Sequence, residues 1–142
     1  IRVVGISLER SPAMLESIEA GRPVAVEEKD SVADSLLGGI GIENRITLPL
    51  VARCVDAHVR IPEAPIEEAM YHLFDRHRLV VEGAGAVGVA ALREGLLDVA
   101  GRRVVAVLTG STVDSAAYLR ILQARGGDRG AAHPAPPGKE AP

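Results

Sequence analysis

Short apolar runs recur along the chain and predict the strands of a buried sheet. The runs Ile1–Ser7, Leu79–Val81 and Arg103–Leu108 are rich in Val, Leu and Ile and lack polar alternation, which is typical of strands covered on both faces. His58–Ile61 predicts a further short strand. Residues 22–45 are instead interrupted by proline, glycines and charges, which favours irregular backbone.

Amphipathic segments separate these runs and predict helices. The clearest begins near Pro65, has acidic residues in its first turn and ends in a basic cluster at Arg76–Arg78, which suits the helix dipole. Its apolar positions follow helical spacing: Ile66, Ala69, Met70, Leu73 and Phe74. Other helices are expected at Pro12–Ala20, at Thr47–Val55, in the Ala-rich stretch that follows the EGAGAVG turn and ends at about Leu92, and at Ser115–Gln123. The alternation predicts an α/β fold, a three-layer parallel sheet with helices on both faces.

Composition narrows the function classes. The chain has 142 residues with 16 basic and 19 acidic side chains, so its net charge of −3 gives no electrostatic reason to expect nucleic acid as a partner. The longest apolar runs are too short to span a bilayer, and Cys54 is the single cysteine, so we expect no membrane or disulfide and a cytoplasmic protein. One domain is expected over residues 1–124 and a disordered tail over 125–142. Because the chain opens inside an apolar run, we expect it to be part of something longer.

A glycine pattern offers one candidate site. Gly83, Gly85 and Gly88 fit G-x-G-x-x-G between an apolar run and a helix, as in dinucleotide-binding turns. The expected ribose-binding acid is absent from the end of the next run, at residues 108–111, and Glu82 would repel a pyrophosphate. The dinucleotide hypothesis therefore stays as an alternative, beside a packing role for the glycines.

Polar residues directly follow two of the apolar runs. Glu82 comes after Leu79–Val81, and Thr109 comes after Arg103–Leu108. In open α/β sheets, ligands bind beyond the carboxyl ends of the strands. We therefore expect Glu82 and Thr109 to face one crevice.

Three separated segments together resemble a known family. SVADSLLGGIGIENRITLPL, LVVEGAGAVGVAAL and VVAVLTGSTVD are similar to the C-terminal half of the serine/threonine dehydratases of the pyridoxal-phosphate superfamily, which have a tryptophan synthase β-like fold. The resemblance runs from Ile1 to about Leu122. Within the family, GGIGIENR most resembles the dehydratases associated with hydroxyectoine breakdown.

The resemblance implies roles for four residues. Thr109 occupies the place of the Ser or Thr that hydrogen-bonds the pyridine nitrogen, and a neutral hydroxyl there favours elimination over transamination. Glu82 matches the acid of the family's EGAGA turn beside the cofactor ring. Gly41 matches a loop glycine whose backbone passes near the ring, and Gly110 follows Thr109 in the cofactor-side turn.

The chain also departs from the family. The resemblance places the Schiff-base lysine and the phosphate-binding glycine loop in the N-terminal half of the fold, which precedes this sequence. Lys29 and Lys139 lie in hydrophilic surroundings and are expected to be surface charges. The positions that carry a divalent metal in some members are Ser7, Ser11 and Ala13, so no metal site is expected.

The resemblance implies a reaction for the complete enzyme. A small β-hydroxy amino acid binds through pyridoxal 5'-phosphate, loses its α-proton to the lysine and expels its hydroxyl, giving a 2-oxo acid and ammonia. A homodimer is expected once the chain is joined to its N-terminal half. Two alternatives stay open, a dinucleotide-binding module and a non-catalytic scaffold half-domain.

Overall fold

Two strands and five helices follow one another in a computed structural model that describes residues 1–127. In chain order they are β1 (Val4–Leu8), α1 (Ala13–Ala20), α2 (Thr47–Cys54), β2 (Ala57–Ile61), α3 (Glu63–His77), α4 (Gly83–Arg93) and α5 (Ser115–Gly127). A single 3-10 turn, Asp34–Leu36, interrupts the long segment between α1 and α2. Within the described part of the chain, no helix has the length and apolar character that crossing a bilayer requires.

The strands β1 and β2 form a parallel pair. Their register runs from Val4 opposite Ala57 to Leu8 opposite Ile61. Asp56 extends the pair, because its carboxylate accepts a 2.7 Å hydrogen bond from the Val3 amide and its own amide donates to the Val3 carbonyl at 2.9 Å. Parallel pairing with a helical crossover confirms the α/β class.

The sheet is smaller than the sequence predicts. Among residues 1–127 it contains two strands, and the expected strands at Leu79–Val81 and Arg103–Leu108 are extended segments outside it. Val105 and Val107 are 90% and 71% exposed. An apolar run reports a tendency to be buried but does not supply the neighbouring strand that a ladder of hydrogen bonds requires. Within the described residues the sheet is therefore limited to the parallel pair β1 and β2, with helices packed against it.

The core lies between α3, α4 and the strand pair. The predicted stripe of α3 is confirmed, since Ile66, Ala69 and Met70 are fully buried and Leu73 is 3% exposed. Small residues of α4 face it and let the two helices approach closely; the fully buried ones are Ala86, Ala90 and Ala91. Helix α4 is thus held firmly at the base of the candidate site.

Local sequence signals place the end of α1 correctly, but α4 begins at Gly83 inside the predicted EGAGAVG turn and α5 runs past its predicted end. Gly21 ends α1 in the left-handed conformation at φ 66°, as its position after Ala20 predicts. Helix α5 continues to Gly127, three residues past the predicted tail boundary at 124, because Arg125 is fixed to α3 through Glu67 and Glu68 at 2.7 and 2.8 Å. The rest of the predicted tail, residues 128–142, lies outside the described residues.

Candidate functional site

Glu82 and Gly110 meet just beyond the ends of two apolar segments. These segments are Leu79–Val81 and Arg103–Leu108. The Glu82 amide donates a 3.1 Å hydrogen bond to the Gly110 carbonyl. Gly110 has φ 72°, and its α-carbon lies so close to the Glu82 carboxyl group that a Cβ there would overlap it. Glu82 and the turn at Thr109 and Gly110 therefore lie together, and the expectation that they face one crevice stays a prediction.

Thr109 presents a free side chain at this place. The residue is exposed, and its hydroxyl makes no hydrogen bond within residues 1–127. Its backbone is fixed, because the Thr109 carbonyl packs against the α-carbon of Gly85 in α4. The turn thus combines a rigid main chain with a hydroxyl that is available to a ligand.

Ser35 is a neighbour of Glu82 that the sequence analysis missed. Its hydroxyl lies 3.4 Å from Glu82 Oε1 and also 3.4 Å from Asp34 Oδ1. The Ser35 amide donates to Asp34 at 2.7 Å, and the single hydroxyl proton can be donated either to Glu82 or to Asp34. The contact spans 47 positions of sequence, so no local pattern points to it.

Gly41 lies apart from the Glu82 cluster, which consists of Ser35, Glu82, Thr109 and Gly110. It has φ 82° and begins a turn that is closed by a 3.1 Å hydrogen bond from the Asn44 amide to its carbonyl. The Asn44 side chain bridges onward, donating to the Ile40 carbonyl at 2.7 Å and accepting from the Leu48 amide at 2.9 Å. No hydrogen bond within residues 1–127 joins Gly41 to Glu82, Thr109 or Gly110. Its role near a cofactor stays a prediction.

An open cleft of about 490 Å³ lies beside the cluster. It runs between β1, the start of α1 and the loop over residues 35–40, and most of its lining side chains are apolar. Ser35 belongs to both places, because it lines the cleft and contacts Glu82. A ligand at the Glu82 cluster would therefore have open space on the Ser35 side.

Backbone carbonyl groups of this chain occupy the space beside the first two glycines of α4, Gly83 and Gly85. A Cβ at Gly83 would overlap the Val32 carbonyl, and one at Gly85 would overlap the Thr109 carbonyl. Gly88 meets only Ala106 Cβ, at 3.5 Å. Two carbonyl groups and the Glu82 carboxylate thus surround the start of α4, where a pyrophosphate would need hydrogen-bond donors. This geometry supports the packing role and argues against the dinucleotide alternative.

The donor set suits one side of a pyridoxal phosphate. A free hydroxyl at Thr109 can pair with a ring nitrogen. Lys29 is exposed, and Lys139 lies outside the described residues. The residues present fit the pyridine side of the cofactor.

Solved structures share this arrangement of elements. The threonine deaminase of T.th. superimposes with a TM-score of 0.62 at 29% identity, covering 80% of this chain and 40% of that one. The processed threonine deaminase isoform 2 of Solanum lycopersicum gives 0.73 at 20% identity over 88% of this chain and 34% of its own, a likeness of fold alone.

Curated relatives match at higher identity. A Sinorhizobium fredii protein provisionally named a threonine dehydratase is 40% identical over 121 residues, 85% of this chain and 36% of the relative. The L-threonine ammonia-lyase of Thermotoga maritima is 37% identical, covering 86% of this chain and 30% of its own. The phenylserine dehydratase of Ralstonia pickettii is 36% identical, with 85% and 37% covered. The chain spans about a third of the length of these relatives.

A family model settles the relationship. The model described as pyridoxal-phosphate dependent enzyme matches residues 1–110, which include the Glu82 cluster and most of the described elements. Sequence, fold and relatives agree on this assignment. The chain belongs to the family of pyridoxal-phosphate dependent enzymes.

Proposed function

We propose that this chain forms the pyridine side of the cofactor site in a dehydratase that releases ammonia from a small β-hydroxy amino acid. The observation that carries the proposal is the contact of Glu82 with Gly110, the residue that follows Thr109, whose hydroxyl makes no hydrogen bond within residues 1–127. The relatives named threonine dehydratase, L-threonine ammonia-lyase and phenylserine dehydratase support the reaction class. Pyridoxal phosphate, when bound, supplies the electron-withdrawing ring that stabilises charge at the substrate's α-carbon.

Thr109 orients the ring in this proposal. Its hydroxyl is exposed and unpaired within residues 1–127, so it can hydrogen-bond a ring nitrogen without breaking a contact. Because a threonine hydroxyl stays neutral at physiological pH, it does not hold a proton on that nitrogen as a carboxylate would. The contact of the Thr109 carbonyl with the α-carbon of Gly85 holds the main chain of Thr109 against the start of α4.

Glu82 lies beside the ring position and is held on two sides. Gly110 packs against its carboxyl group, and Ser35 approaches it from the opposite loop at 3.4 Å. A carboxylate fixed in this way can accept hydrogen bonds from the ligand at one edge only. Its role in this proposal is to orient the ligand beside the turn at Thr109 and Gly110.

The α-proton is taken by a residue outside this chain. The sequence contains two lysines, of which Lys29 is exposed and Lys139 lies in a stretch rich in glycine, proline and alanine. A lysine that works in this chemistry must be held and desolvated in a pocket. The chain spans about a third of its relatives, so we assign that lysine to the rest of the protein.

The test uses the polypeptide encoded by the complete reading frame that contains this chain. Serine, threonine and phenylserine are supplied in turn, and 2-oxo acid and ammonia are measured with pyridoxal phosphate present. The proposal expects both products in equal amounts. Thr109→Ala is expected to weaken cofactor binding, whereas Thr109→Ser, which keeps the hydroxyl, retains most of it.

Two results would contradict the proposal. A polypeptide that binds no pyridoxal phosphate would remove the cofactor assignment, and equal cofactor affinity in Thr109→Ala would remove the role of Thr109. The association with hydroxyectoine breakdown and the homodimer both stay predictions. Growth of a deletion strain on hydroxyectoine and sedimentation of the complete protein test them.

A further inference from the structure

Glu63 makes a two-point contact with a distant loop. It begins α3 directly after β2, and its carboxylate accepts a 2.8 Å hydrogen bond from the Ser31 hydroxyl and a 2.5 Å one from the Val32 amide. The Ser31 hydroxyl in turn accepts from the Ala33 amide at 3.0 Å. Both contacts are partly buried, which strengthens charge-assisted hydrogen bonds relative to those at an open surface.

The loop held by Glu63 leads straight to the candidate site. Ala33 is fully buried, and the Val32 carbonyl covers the α-carbon of Gly83 at the start of α4. Two residues later, Ser35 reaches Glu82. The chain from Ser31 to Ser35 is therefore short and fixed at both ends.

Val32 and Ala33 pack against the core, but hydrogen bonds from other elements within residues 1–127 hold residues 31–33 at few points. The two 2.9 Å backbone hydrogen bonds of the loop are local, from Leu36 to Ala33 and from Leu37 to Asp34. Within residues 1–127, Glu63 is the one side chain of another element that hydrogen-bonds residues 31–33. Loss of its carboxylate would leave the Val32 amide unpaired and free the loop to move away from Glu82.

We propose that Glu63 is a positioning residue, which clamps the loop over residues 31–35 so that Ser35 stays against Glu82 and the Val32 carbonyl stays over Gly83. Its significance for the cofactor rests on the function proposed above. The clamp itself is a property of the folded chain and can be measured without any ligand.

The first experiment follows amide hydrogen exchange and backbone resonances in the complete polypeptide that contains this chain, prepared without cofactor. Glu63→Ala removes both acceptors, and Glu63→Gln keeps one acceptor for Val32 and can still bond Ser31. We expect the Val32 amide to exchange roughly tenfold faster in Glu63→Ala and close to the original rate in Glu63→Gln. The resonances of Ser35, Glu82 and Gly110 should move in the alanine variant only.

Glu68→Ala is the matched control. Glu68 lies on the same helix and bonds Arg125 at 2.8 Å, away from the loop. Its loss should lower stability without changing Val32 or Ser35 selectively. If the two alanine variants raise exchange at Val32 equally, Glu63 has only a structural role and the proposal fails. It also fails if Val32 responds while Ser35, Glu82 and Gly110 do not.

A second arm separates the clamp from the proposed function. In the complete polypeptide, cofactor affinity and the absorption maximum of bound pyridoxal phosphate are compared between the original protein and the Glu63 variants. The proposal expects several-fold weaker binding and a shifted maximum in Glu63→Ala, both restored in Glu63→Gln. A polypeptide that binds no cofactor refutes the proposed function and leaves the clamp to the first arm. If Glu63→Ala does not fold, Ser31→Ala takes its place in both arms, because it deletes the bond to Glu63 and the bond from the Ala33 amide but keeps the bond from Val32 to Glu63.

Discussion

Replacing Gly85 by alanine tests how closely α4 and the Thr109 turn approach. A Cβ at this position lies 2.9 Å from the Thr109 carbonyl carbon, closer still to its oxygen, and 2.9 Å from Val81 Cγ1. The carbonyl is backbone and cannot rotate away, so α4 or the Thr109 turn must shift. Gly85→Ala therefore perturbs packing and the candidate site together.

The expected magnitude follows from two opposing effects. Alanine favours a helix interior over glycine by about 1 kcal/mol. Overpacking of a filled interior costs typically about 1–3 kcal/mol, and a backbone clash of this depth belongs at the upper end. Gly85→Ala should therefore lower the free energy of unfolding by about 2 kcal/mol.

Gly88→Ala provides a control on the same helix. A Cβ there lies 3.5 Å from Ala106 Cβ, an ordinary contact, so the helix preference dominates. We expect a gain of about 1 kcal/mol, which places the two variants roughly 3 kcal/mol apart in urea unfolding. Equal stability of Gly85→Ala and Gly88→Ala would refute the close approach of Thr109 to α4.

Three further predictions concern stability and association. Arg125→Met should lower the free energy of unfolding by about 1 kcal/mol, and by less in roughly 1 M salt, because Arg125 bridges two carboxylates of α3. The hydrogen bond to Glu67 raises the pKa of Arg125, so the bridge persists at neutral pH. An unchanged midpoint in urea unfolding would contradict this prediction. Ser17→Ala should cost about 1–3 kcal/mol, since Ser17 is fully buried and accepts the Val24 amide at 3.0 Å, and thermal unfolding measures it. The 142-residue chain should associate with itself through its exposed apolar segments. Val105 is 90% exposed, so Val105→Glu should reduce the particle size measured by light scattering. A monomeric original chain would count against the predicted association.

Elements that depend on local spacing could be predicted from the sequence. The stripe of α3, the left-handed end of α1 at Gly21 and the irregular segment before α2 follow from side-chain periodicity and glycine chemistry within a few residues. The meeting of Glu82 with the Thr109 turn was predictable too, because both residues follow apolar runs. These signals need no knowledge of distant contacts.

The contacts that complete the site could not be predicted in this way. Ser35 reaches Glu82 across 47 positions, and Glu63 reaches Ser31 across 32. Such pairs depend on how β2 and α4 are placed in space. The strands expected at Leu79–Val81 and Arg103–Leu108 are absent from the sheet of residues 1–127 for a related reason. The hydrophobicity of a segment indicates a tendency to be buried, but it does not identify the neighbouring strand with which the segment would pair.

The most direct test of the central claim is the 15N resonance of the ring nitrogen in bound, labelled pyridoxal phosphate. It is measured in the complete polypeptide with Thr109, with Thr109→Ser and with Thr109→Ala. A hydrogen bond from Thr109 predicts similar resonances for the first two proteins and a displaced one for alanine. Three identical resonances would contradict the placement of this turn at the pyridine nitrogen.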